Sequence, residues 1–397
     1  MSESAAPGGK RFLFVDHAHR ILGGAEINLV ELLESAAASS RWTAACACAP
    51  GSPLGAALAP LPVRQFDFGL AGGAGEFRLV GRRFSILGAW RAWGGLRRAR
   101  ARLAAIVAEF KPDRIISCTS KDHFCAGAVG RQAGVPSIWW VNDVVSAEFF
   151  AWPVRQVFYR QARRLAARLV VVSEFARGAL LAAGLPADTV VTIHNGIPLT
   201  RYQRCPRGVI RQRLALSSDH PLVGILGRFT PWKGQEFFIQ LAASWIREHA
   251  TGHFALIGQA FNEEKAFEDH LRQLAAQPGL AGRVHFIPFQ AGVAAALSDL
   301  DVLVHASNKP EPFGRVLIEA MAVGTPVIAA RAGGVPEIIT DGLDGLLVDP
   351  GHLEGYAAAL ARLLDSPAES SRLAAAARRT VESRFTIERV REQFTQL

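Results

Sequence analysis

The sequence predicts an α/β protein made of two doubly wound domains in series, and three observations support this prediction. Short apolar runs alternate with amphipathic segments along the chain, which is typical of βαβ units and a parallel sheet. A turn-rich stretch over residues 194–208, with Gly196, Pro198 and Pro206, interrupts the alternation, which then starts again. With 397 residues, 50% of them apolar, the chain is long enough for two domains that each bury a core.

The N-terminal domain is expected over residues 1–200, with helices between the strands of a parallel sheet. Its predicted strands are 11–15, 43–49, 114–118, 136–141, 169–172 and 190–194, and its predicted helices include 25–38, 84–110 and 154–167. Gly94 and Gly95 argue against one uninterrupted helix over 84–110, because glycine is a poor helix former.

The C-terminal domain is expected over residues 201–384 and repeats the alternation. Its predicted strands are 222–226, 254–257, 284–287, 302–305 and 327–329. Residues 385–397 form a final amphipathic helix that could pack back onto the N-terminal domain. Ligands are expected where loops leave the carboxyl ends of the strands, with the cleft between the domains as the default site.

The net charge of +9 lies in the N-terminal half, where 23 Lys plus Arg face 14 Asp plus Glu. Residues 78–102 contain no acid, and Phe77, Phe84, Trp90 and Trp93 precede or lie within them. Their arginines are Arg78, Arg82, Arg83, Arg91, Arg97, Arg98, Arg100 and Arg102. Two interpretations are open: a helix lying on anionic lipid, or a core-facing apolar stripe with solvated arginines. Nucleic acid is not expected as a partner, because no nucleic-acid-binding module accompanies the segment.

The five cysteines form no CxxC pair and no Cys/His set at zinc spacing, which fits a reducing compartment. The N-terminus has no apolar stretch of the secretory type, and no apolar run approaches the roughly 18 to 20 residues of a membrane span. We therefore expect a cytoplasmic protein, with a peripheral place on the inner face of the cell membrane if the basic segment binds lipid.

Gly23 and Gly24 follow the first predicted strand and directly precede a helix. Helix N-termini attract anions, because their first amides are unpaired and the macrodipole adds positive potential. The spacing is not GxGxxG, so a dinucleotide site is not indicated. A tight turn without a ligand and a turn that approaches an anionic ligand both fit the pattern.

Arg228 and Lys233 lie in a loop between the first strand and the first helix of the C-terminal domain, flanked by Gly227 and Gly234. Arginine can bind two oxygens of a diphosphate and lysine acts as a point charge, so the pair suits a diphosphate. Solvated surface cations are the alternative interpretation.

Glu311 and Glu319 bracket the start of another helix in the same domain. Glu319 falls five residues beyond Gly314, roughly 7 to 8 Å along the helix at 1.5 Å per residue. That reach suits a ligand held by phosphate at the helix start and by ribose hydroxyls at Glu319. Because apolar residues surround Glu319 in the sequence, its carboxylate needs a partner.

A metal site is not expected. Asp299 and Asp301 spell DLD, but they precede an apolar strand and are better explained as residues at element boundaries. There is also no GxSxG elbow and no glycine-rich GKS/T loop.

Taken together, these motifs resemble the retaining glycosyltransferase family 4, which has the GT-B fold. The matching segments are GGAE at 23–26, SEF at 173–175, IHNGI at 193–197, GRFTPWKG at 227–234, EPFGRVLIEAMAVGTPVIA at 311–329 and AGGVPEII at 332–339. The E-x7-E element of Glu311 and Glu319 is the most specific of them. The resemblance implies two Rossmann-like domains facing a central cleft. It further implies a nucleotide-diphosphate sugar donor of the UDP or GDP type, bound mainly by the C-terminal domain, and a glycan or lipid-linked acceptor bound mainly by the N-terminal one. Neither a metal nor another cofactor is implied.

Carried over by position, the family's roles fall on residues already singled out. Arg228 and Lys233 would bind the donor diphosphate, and Glu319 the ribose. Glu311 would face the donor sugar and its proximal phosphate. Arg228, Lys233 and Glu311 are thus the expected catalytic residues.

Backbone groups complete the implied donor site. Phe313 and Gly314 would present their amides to the donor sugar and its proximal phosphate, and Gly24 would approach that phosphate from the N-terminal domain. Ser173 is interpreted as a helix cap rather than a nucleophile. Asn195 either lines the cleft or stabilises its own turn.

The sequence departs from the family at one position. Many relatives have a histidine that touches the donor sugar after the strand that ends in WWV; here Asn142 follows, which can bond a hydroxyl but cannot act as a cation. Asp143 is a candidate acceptor contact. Three histidines lie near the same strand ends, namely His17, His19 and His123. For each of them a core or surface position is the simpler alternative.

The function predicted from the sequence is sugar transfer from a nucleotide sugar to a hydroxyl with retention of configuration, in glycan, polysaccharide or glycolipid biosynthesis. The alternatives are a GT-B phosphorylase or sugar-nucleotide epimerase, and a sugar-binding protein without catalysis. The presence of Arg228, Lys233 and Glu319 argues against the last of these.

Overall fold

The chain divides into two units, and each has its own parallel sheet. The first comprises Met1–Asn195 and Ile387–Leu397, and the second comprises Gly196–Thr386. The limits expected from the sequence were 200 and 384. The computed structural model describes residues 9–17, 23–39, 42–49, 51–69, 86–217, 219–249, 251–261, 264–288 and 292–397, and within them the side chains of 86–94 are not described.

The first unit contains a seven-stranded parallel sheet in the order β3-β2-β1-β4-β5-β6-β7. The strands are β1 (Lys10–Val15), β2 (Trp42–Cys48), β3 (Arg64–Asp67), β4 (Arg114–Ser117), β5 (Ser137–Val141), β6 (Arg168–Val171) and β7 (Val190–Thr192). The helices are α1 (Gly24–Ala37), α2 (Pro53–Leu58), α3 (Ile86–Phe110), α4 (Ser120–Ala133), α5 (Trp152–Leu165) and α6 (Glu174–Ala182). The strand order reverses between β1 and β4, which pair in register as Leu13 with Ile115.

The second unit contains a six-stranded parallel sheet in the order β10-β9-β8-β11-β12-β13. Its strands are β8 (Leu222–Leu226), β9 (His253–Ile257), β10 (Val284–Ile287), β11 (Val302–His305), β12 (Val327–Ala330) and β13 (Leu346–Val348). Its helices are α7 (Val209–Arg213), α8 (Gln235–Glu248), α9 (Lys265–Ala275), α10 (Val293–Asp299), α11 (Arg315–Val323), α12 (Val335–Ile338), α13 (Leu353–Leu364) and α14 (Pro367–Arg384). The strand order reverses between β8 and β11, and such a reversal opens a crevice at the carboxyl ends of the strands.

The last helix, α15 (Ile387–Gln396), packs on the sheet of the first unit. Its buried side chains meet the core beside α1, and the rings of Phe394 and Trp140 are 5.0 Å apart. Lys10 donates to the carbonyl of Thr395 at 2.5 Å, which fixes the helix end to the start of β1.

The predicted strands correspond to observed ones within one or two residues, but β3, β13 and the short helices α2, α7 and α12 were not predicted. β3 is an edge strand with mostly exposed polar residues, β13 has three residues, and α2 has six. The expectation of a break at Gly94 and Gly95 is wrong, because α3 is continuous over 25 residues. Its buried Leu103 and Val107 pack on the sheet, which offsets the helix cost of about 1 kcal/mol for each glycine.

No helix among the described residues combines the length and the apolar character that a bilayer crossing requires.

Candidate functional site

The loops after β8 and β11 bring a lysine and a glutamate together at the carboxyl ends of the second sheet. Lys233 ends a short 3₁₀ turn and donates from its Nζ to Oε1 of Glu311. The same Nζ lies 4.2 Å from the ring centroid of Trp232. A quarter of the Lys233 side chain is exposed, whereas Glu311 is almost fully buried. The lysine side chain is therefore partly exposed, while its carboxylate partner lies inside the protein.

The second carboxylate oxygen of Glu311 is also held. Oε2 lies 3.2 Å from Nε2 of His305 and accepts from the hydroxyl of Ser307 at 3.0 Å. Burial would raise the pKa of Glu311, but Lys233 and His305 outweigh burial and hold that pKa well below its ordinary value. Glu311 is thus a permanently ionised acceptor rather than a proton donor.

Two glycines allow the close backbone approaches that shape this site. Gly234 has φ +79°, and a Cβ there would lie 2.0 Å from the carbonyl oxygen of Ala306. Gly333 has φ +63°, and a Cβ there would lie 2.2 Å from the carbonyl oxygen of Glu311. Any side chain at either position would force the loops apart, so the local sequence is constrained by the geometry of the site.

Arg228 follows β8 in the same loop as Lys233. Nearly half of its side chain is exposed, and its Nη2 lies 3.9 Å from Oε1 of Glu264. The backbone is fixed by Gln235, whose Nε2 donates to the carbonyl of Arg228 at 2.9 Å. A backbone carbonyl held by Gln235 and a half-exposed guanidinium side chain suit a residue that binds an anionic ligand.

Glu319 lies on α11 and has the partner that its apolar surroundings demand. Arg315 Nε donates to Oε1 at 2.7 Å, and the hydroxyl of Tyr202 donates to the same oxygen at 3.1 Å. The Arg315 and Glu319 side chains are 9% and 8% exposed. The carboxylate is therefore held in one position from two directions.

Helix α11 follows the loop after β11. Gly314 is its N-cap, with φ +105°, and the helix begins at Arg315. The preceding Phe313 is 2% exposed and packs edge-on against Phe385 at 5.8 Å. The buried ring fixes the turn, so that the first amides of a nine-residue helix take a defined direction.

In the first unit, α1 begins at Gly24, which is exposed. The preceding Gly23 has no side-chain cap, but its N–H donates to Oε2 of Glu26 at 2.7 Å. Asn28, one turn further on, donates to Oδ1 of Asn195 at 2.7 Å, so Asn195 joins α1 to the end of its unit. Ser173 caps α6 by accepting from the N–H of Ala176 at 3.1 Å, which confirms its interpretation as a cap.

His17 follows β1, and Asp122 lies at the start of α4 after β4. Nδ1 of His17 is 3.0 Å from Oδ1 of Asp122, and the backbone N–H of His17 donates to Oδ2 at 3.1 Å. Burial would lower the pKa of His17, but the Asp122 carboxylate outweighs burial and raises it. The cluster sits where the strand order of the first sheet reverses. His19 lies outside the described residues.

His123 is a core residue, which corrects its expected place on the acceptor side. It is 2% exposed, its ring stacks on Trp139 at 5.0 Å, and Nδ1 is 2.8 Å from the hydroxyl of Ser117. Burial lowers the pKa of His123 to about 3, so the imidazole is neutral. It packs inside the unit against Trp139 and Phe158.

Asn142 and Asp143 follow β5. Asn142 donates from Nδ2 to the carbonyl of Trp140 at 3.4 Å, and its Oδ1 is buried without a partner among the described residues. Asp143 is exposed. The Asn142 amide therefore lies against the end of β5, whereas Asp143 is at the surface.

Asp299 and Asp301 bind backbone amides and arginines. The Asp299 carboxylate accepts from the N–H of Arg211 at 3.3 Å, and Asp301 accepts from Arg211 Nη2 at 2.6 Å and from the N–H of Leu222 at 2.7 Å. Within the described part of the chain no group of His, Cys, Asp and Glu side chains could hold a metal ion. The DLD segment thus fastens α7 to the sheet.

The basic segment 78–102 is described in part. Arg78, Arg82 and Arg83 lie outside the described residues, as does the side chain of Arg91. On the described part of α3, Leu96, Ala99 and Leu103 pack on the core, while Arg97, Arg98 and Arg100 are exposed. From residue 95 onward the apolar stripe faces the core and the arginines face solvent.

Sequence reasoning missed three partners that hold the predicted residues. His305 could be seen only as the last residue of an apolar strand. Arg315 could have been found, because it stands four residues before Glu319 on a predicted helix. Tyr202 had no signal, since it lies 117 residues from Glu319 in the chain.

The whole chain resembles solved two-domain structures. HepE of Anabaena, crystallised with UDP and glucose, superposes with a TM-score of 0.83 and 26% identity, covering 98% of both chains. Sucrose-phosphate synthase of Thermosynechococcus elongatus, at 23% identity and a TM-score of 0.75 over 98% of both chains, supports the fold alone. The molecule is therefore a GT-B protein.

Family models define it further. The model Glycosyltransferase Family 4 matches residues 22–201, and the model Glycosyl transferases group 1 matches residues 206–380. Together they span both units, and the chain belongs to the family 4-type glycosyltransferases.

Curated relatives match over part of their length. The D-inositol 3-phosphate glycosyltransferase of Rhodococcus opacus is 36% identical over 205 residues, which is 50% of this chain and 46% of the relative. The lipopolysaccharide core biosynthesis glycosyltransferase LpsE of Rhizobium meliloti is 34% identical over 48% of this chain and 53% of its own. The chain spans about half the length of these relatives.

Proposed function

We propose that this protein transfers a hexosyl group from a UDP-hexose to a hydroxyl acceptor with retention of configuration. The observation that carries the proposal is the partly exposed Lys233 side chain, whose ammonium pairs with the buried, ionised Glu311 after β8 and β11. HepE, which is 26% identical over nearly the whole chain, has been crystallised with UDP and glucose and with UDP-glucose, which supports a UDP-sugar donor.

The reaction places negative charge on the departing diphosphate, and the proposed donor-binding residues would stabilise this charge. Lysine has three N–H donors, so Lys233 can keep its bond to Glu311 and still donate to a phosphate oxygen. Arg228 would bind the other phosphate, and the amides at the starts of α8 and α11 would add positive potential. Stabilisation of developing charge commonly contributes more to catalysis in such sites than any other effect.

The proposed step breaks the bond between C1 of the hexose and its phosphate oxygen and forms a bond from C1 to the acceptor oxygen on the same face. The acceptor proton passes to the departing phosphate, and UDP leaves. Glu311 does not take the proton, because its pKa is held low. It would bond the hexose hydroxyls, with the amides of Phe313 and Gly314 and the side chain of Asn142, while Glu319 would bind the ribose and Gly24 the proximal phosphate.

This donor set is cationic and amide-based, so the proposal requires no divalent metal. Transfer should persist in the presence of EDTA. Loss of transfer in EDTA, restored by magnesium or manganese, would contradict this part of the proposal.

The proposed acceptor is an anionic or lipid-linked glycan, with Asp143 and His17 as candidate contacts. Helix α4 packs between α3 and α5 on one face of the first sheet, and this helical layer is strongly basic. Its exposed arginines include Arg97, Arg98, Arg100, Arg131, Arg160, Arg163 and Arg164. The names of the relatives, an inositol phosphate and a lipopolysaccharide enzyme, support an anionic acceptor.

The same layer supports peripheral binding to an anionic membrane, for which we propose the cytoplasmic face. The apolar stripe of α3 does not supply the lipid contact from residue 95 onward, because it faces the core. On α5, Trp152 and Val157 are 66% and 51% exposed beside Arg160. An aromatic residue among arginines is typical of an interfacial surface.

The test is a donor screen followed by product analysis. UDP-, GDP- and ADP-hexoses are compared for thermal stabilisation, since a ligand bound by the folded state raises the midpoint of unfolding. The stabilising donor is then incubated with inositol phosphates and lipid-linked sugars, and UDP release is measured. A new glycoside of retained configuration supports the proposal. Hexose 1-phosphate formed from inorganic phosphate, or an epimerised nucleotide sugar without acceptor, would contradict it.

A further inference from the structure

The last residue of β11 is a buried histidine beside the proposed catalytic pair. His305 is 5% exposed, and its neighbours Val302, Leu303 and Val304 on the same strand are apolar. Its backbone carbonyl accepts from the hydroxyl of Tyr356 at 3.1 Å, which fixes the strand end. A polar side chain that closes an otherwise apolar strand at the carboxyl edge of a sheet lies where the active site is expected.

The contacts of the imidazole are one-sided. Nε2 lies 3.2 Å from Oε2 of Glu311 and 3.3 Å from the hydroxyl of Ser307, and Ser307 itself donates to the same Oε2 at 3.0 Å. Nδ1 is buried and has no hydrogen-bond partner among the described residues. Within the described part of the chain, the ring therefore forms hydrogen bonds through Nε2 and none through Nδ1.

This arrangement selects one tautomer. Because Oε2 is a carboxylate oxygen, Nε2 must carry the hydrogen that joins them. A hydrogen on Nδ1 as well would bury an N–H without an acceptor, which costs more than an unpaired lone pair. The geometry thus places a hydrogen on Nε2, towards Glu311, and favours Nδ1 as a bare nitrogen.

We infer that His305, assisted by Ser307, is a positioning residue for the transfer reaction. The two side chains hold Oε2 of Glu311, so that Oε1 remains aimed at Lys233 and the ammonium stays where the leaving phosphate develops its charge. The inference rests on the proposed function, and it assigns to these two residues a role that acts through Glu311 and Lys233 rather than on the substrate.

The kinetic test compares three variants of the full chain. His305→Leu removes the hydrogen bond but keeps an apolar filling, and we expect kcat to fall by about tenfold or more, with the donor KM and the Kd of UDP changed less than about threefold. His305→Gln can still donate from its amide near the Nε2 position, and it should recover most of kcat. Ser307→Ala should lower kcat by a smaller factor, because His305, whose strand end is fixed by Tyr356, still holds Oε2.

A purely structural role would give another pattern. Such a role predicts that His305→Leu and His305→Gln lower the thermal midpoint together and lose activity in parallel with it. Equal kcat values for the wild type and His305→Leu, or His305→Gln as impaired as a folded His305→Leu, would overturn the inference.

A second measurement does not depend on transfer activity. With ¹⁵N-labelled histidine, the His305 signals, assigned by their absence in His305→Gln, should show a protonated Nε2 and a bare Nδ1. Glu311→Gln should shift the Nε2 signal in the same spectrum. A protonated Nδ1, or an Nε2 chemical shift that is the same in the wild type and Glu311→Gln, would overturn the inference even if the wild type transfers no sugar. A wild type that transfers no sugar but passes this test would contradict the proposed function alone.

Discussion

Arg315 and Glu319, one turn apart on α11, form an ion pair of 2.7 Å in which less than a tenth of either side chain is exposed. Tyr202 joins the pair, since its hydroxyl donates to Glu319 at 3.1 Å and accepts from Arg315 Nη2 at 2.9 Å. The position of the Glu319 carboxylate is therefore fixed without a ligand, which reduces the entropy that binding would cost.

The first prediction tests Glu319 as the ribose contact. Glu319→Gln should weaken UDP binding by about tenfold, because a hydrogen bond to a charged group contributes about 1.5 to 3 kcal/mol. The same variant should bind 2′,3′-dideoxy-UDP as the wild type does, because that ligand lacks the two ribose hydroxyls that Glu319 is proposed to bind. Isothermal titration measures all four affinities.

Glu354→Gln is the matched control, because that side chain is 84% exposed on α13. It should bind both ligands normally. An equal loss of affinity for UDP and dideoxy-UDP in Glu319→Gln would mean that Glu319 only stabilises the fold.

The second prediction concerns Lys233. Lys233→Ala should lower kcat by about 100-fold or more, the usual effect of removing a charge stabiliser from a transition state. Lys265→Ala removes an exposed lysine from the same unit and should leave kcat unchanged. Near wild-type turnover of Lys233→Ala would contradict its assignment.

Lys233 also neutralises a buried carboxylate, and a third prediction separates this role from catalysis. Lys233→Ala leaves Glu311 without its ammonium, and the free energy of unfolding should fall by about 2 kcal/mol. Adding Glu311→Gln removes the buried charge and should restore much of that loss, while the double variant stays inactive. Urea unfolding of the four proteins of this cycle measures the coupling; strictly additive effects would mean that the pair does not interact.

The sequence predicted the two sheets well, because buried parallel strands are near-continuous apolar runs such as Leu222–Leu226. It missed β3, because an edge strand with the sequence RQFD has no apolar run and only Phe66 packs against the core. It also expected a break at Gly94 and Gly95 in α3. Local propensity was wrong there because packing of the helix on the core decides the outcome.

Residues of the candidate site could be predicted from the sequence only where a charged side chain stands in a recognisable loop motif. Lys233 and Glu311 follow strands in glycine-containing turns, and both could be named from the sequence. His305 reads as part of an apolar strand, and its contact with Glu311 exists only in the folded chain. His123 shows the opposite error, since a histidine near a strand end suggested a ligand contact but stacks on Trp139 in the core.

The fourth prediction follows from two depressed histidine pKa values. Burial lowers the pKa of His123 to about 3, and burial with the nearby His285 lowers that of His253 to about 4. In the unfolded chain both titrate near 6.5, so below that pH the unfolded state binds more protons. Stability is thus fully present above pH 6.5 and falls as the pH drops towards 4 and 3.

His123→Phe keeps an aromatic ring against Trp139 and removes one titrating group. The decline of the unfolding free energy between pH 6 and 4 should become shallower by about 1 kcal/mol per pH unit. His352→Gln, at an exposed histidine, is the control and should leave the slope unchanged. An unchanged slope in His123→Phe would show that His123 is not buried in its neutral form.

The last prediction concerns the basic helical layer of α3, α4 and α5. The protein should sediment with anionic liposomes at low salt and be released at high salt, because ions screen charges over about 10 Å at 0.1 M. Arg160→Gln with Arg164→Gln should weaken binding to the liposomes by about 30-fold, since each arginine near an anionic surface contributes about 1 kcal/mol. Trp152→Ser, at a side chain 66% exposed on the same helix, should weaken liposome binding further.

Arg378→Gln with Arg379→Gln is the control, because it removes the same charge from exposed positions on α14 in the other unit, and it should change liposome binding little. An equal loss of liposome binding in both double variants would mean that net charge, and not this layer, causes the binding. Equal sedimentation with neutral and anionic liposomes would contradict the proposed membrane contact.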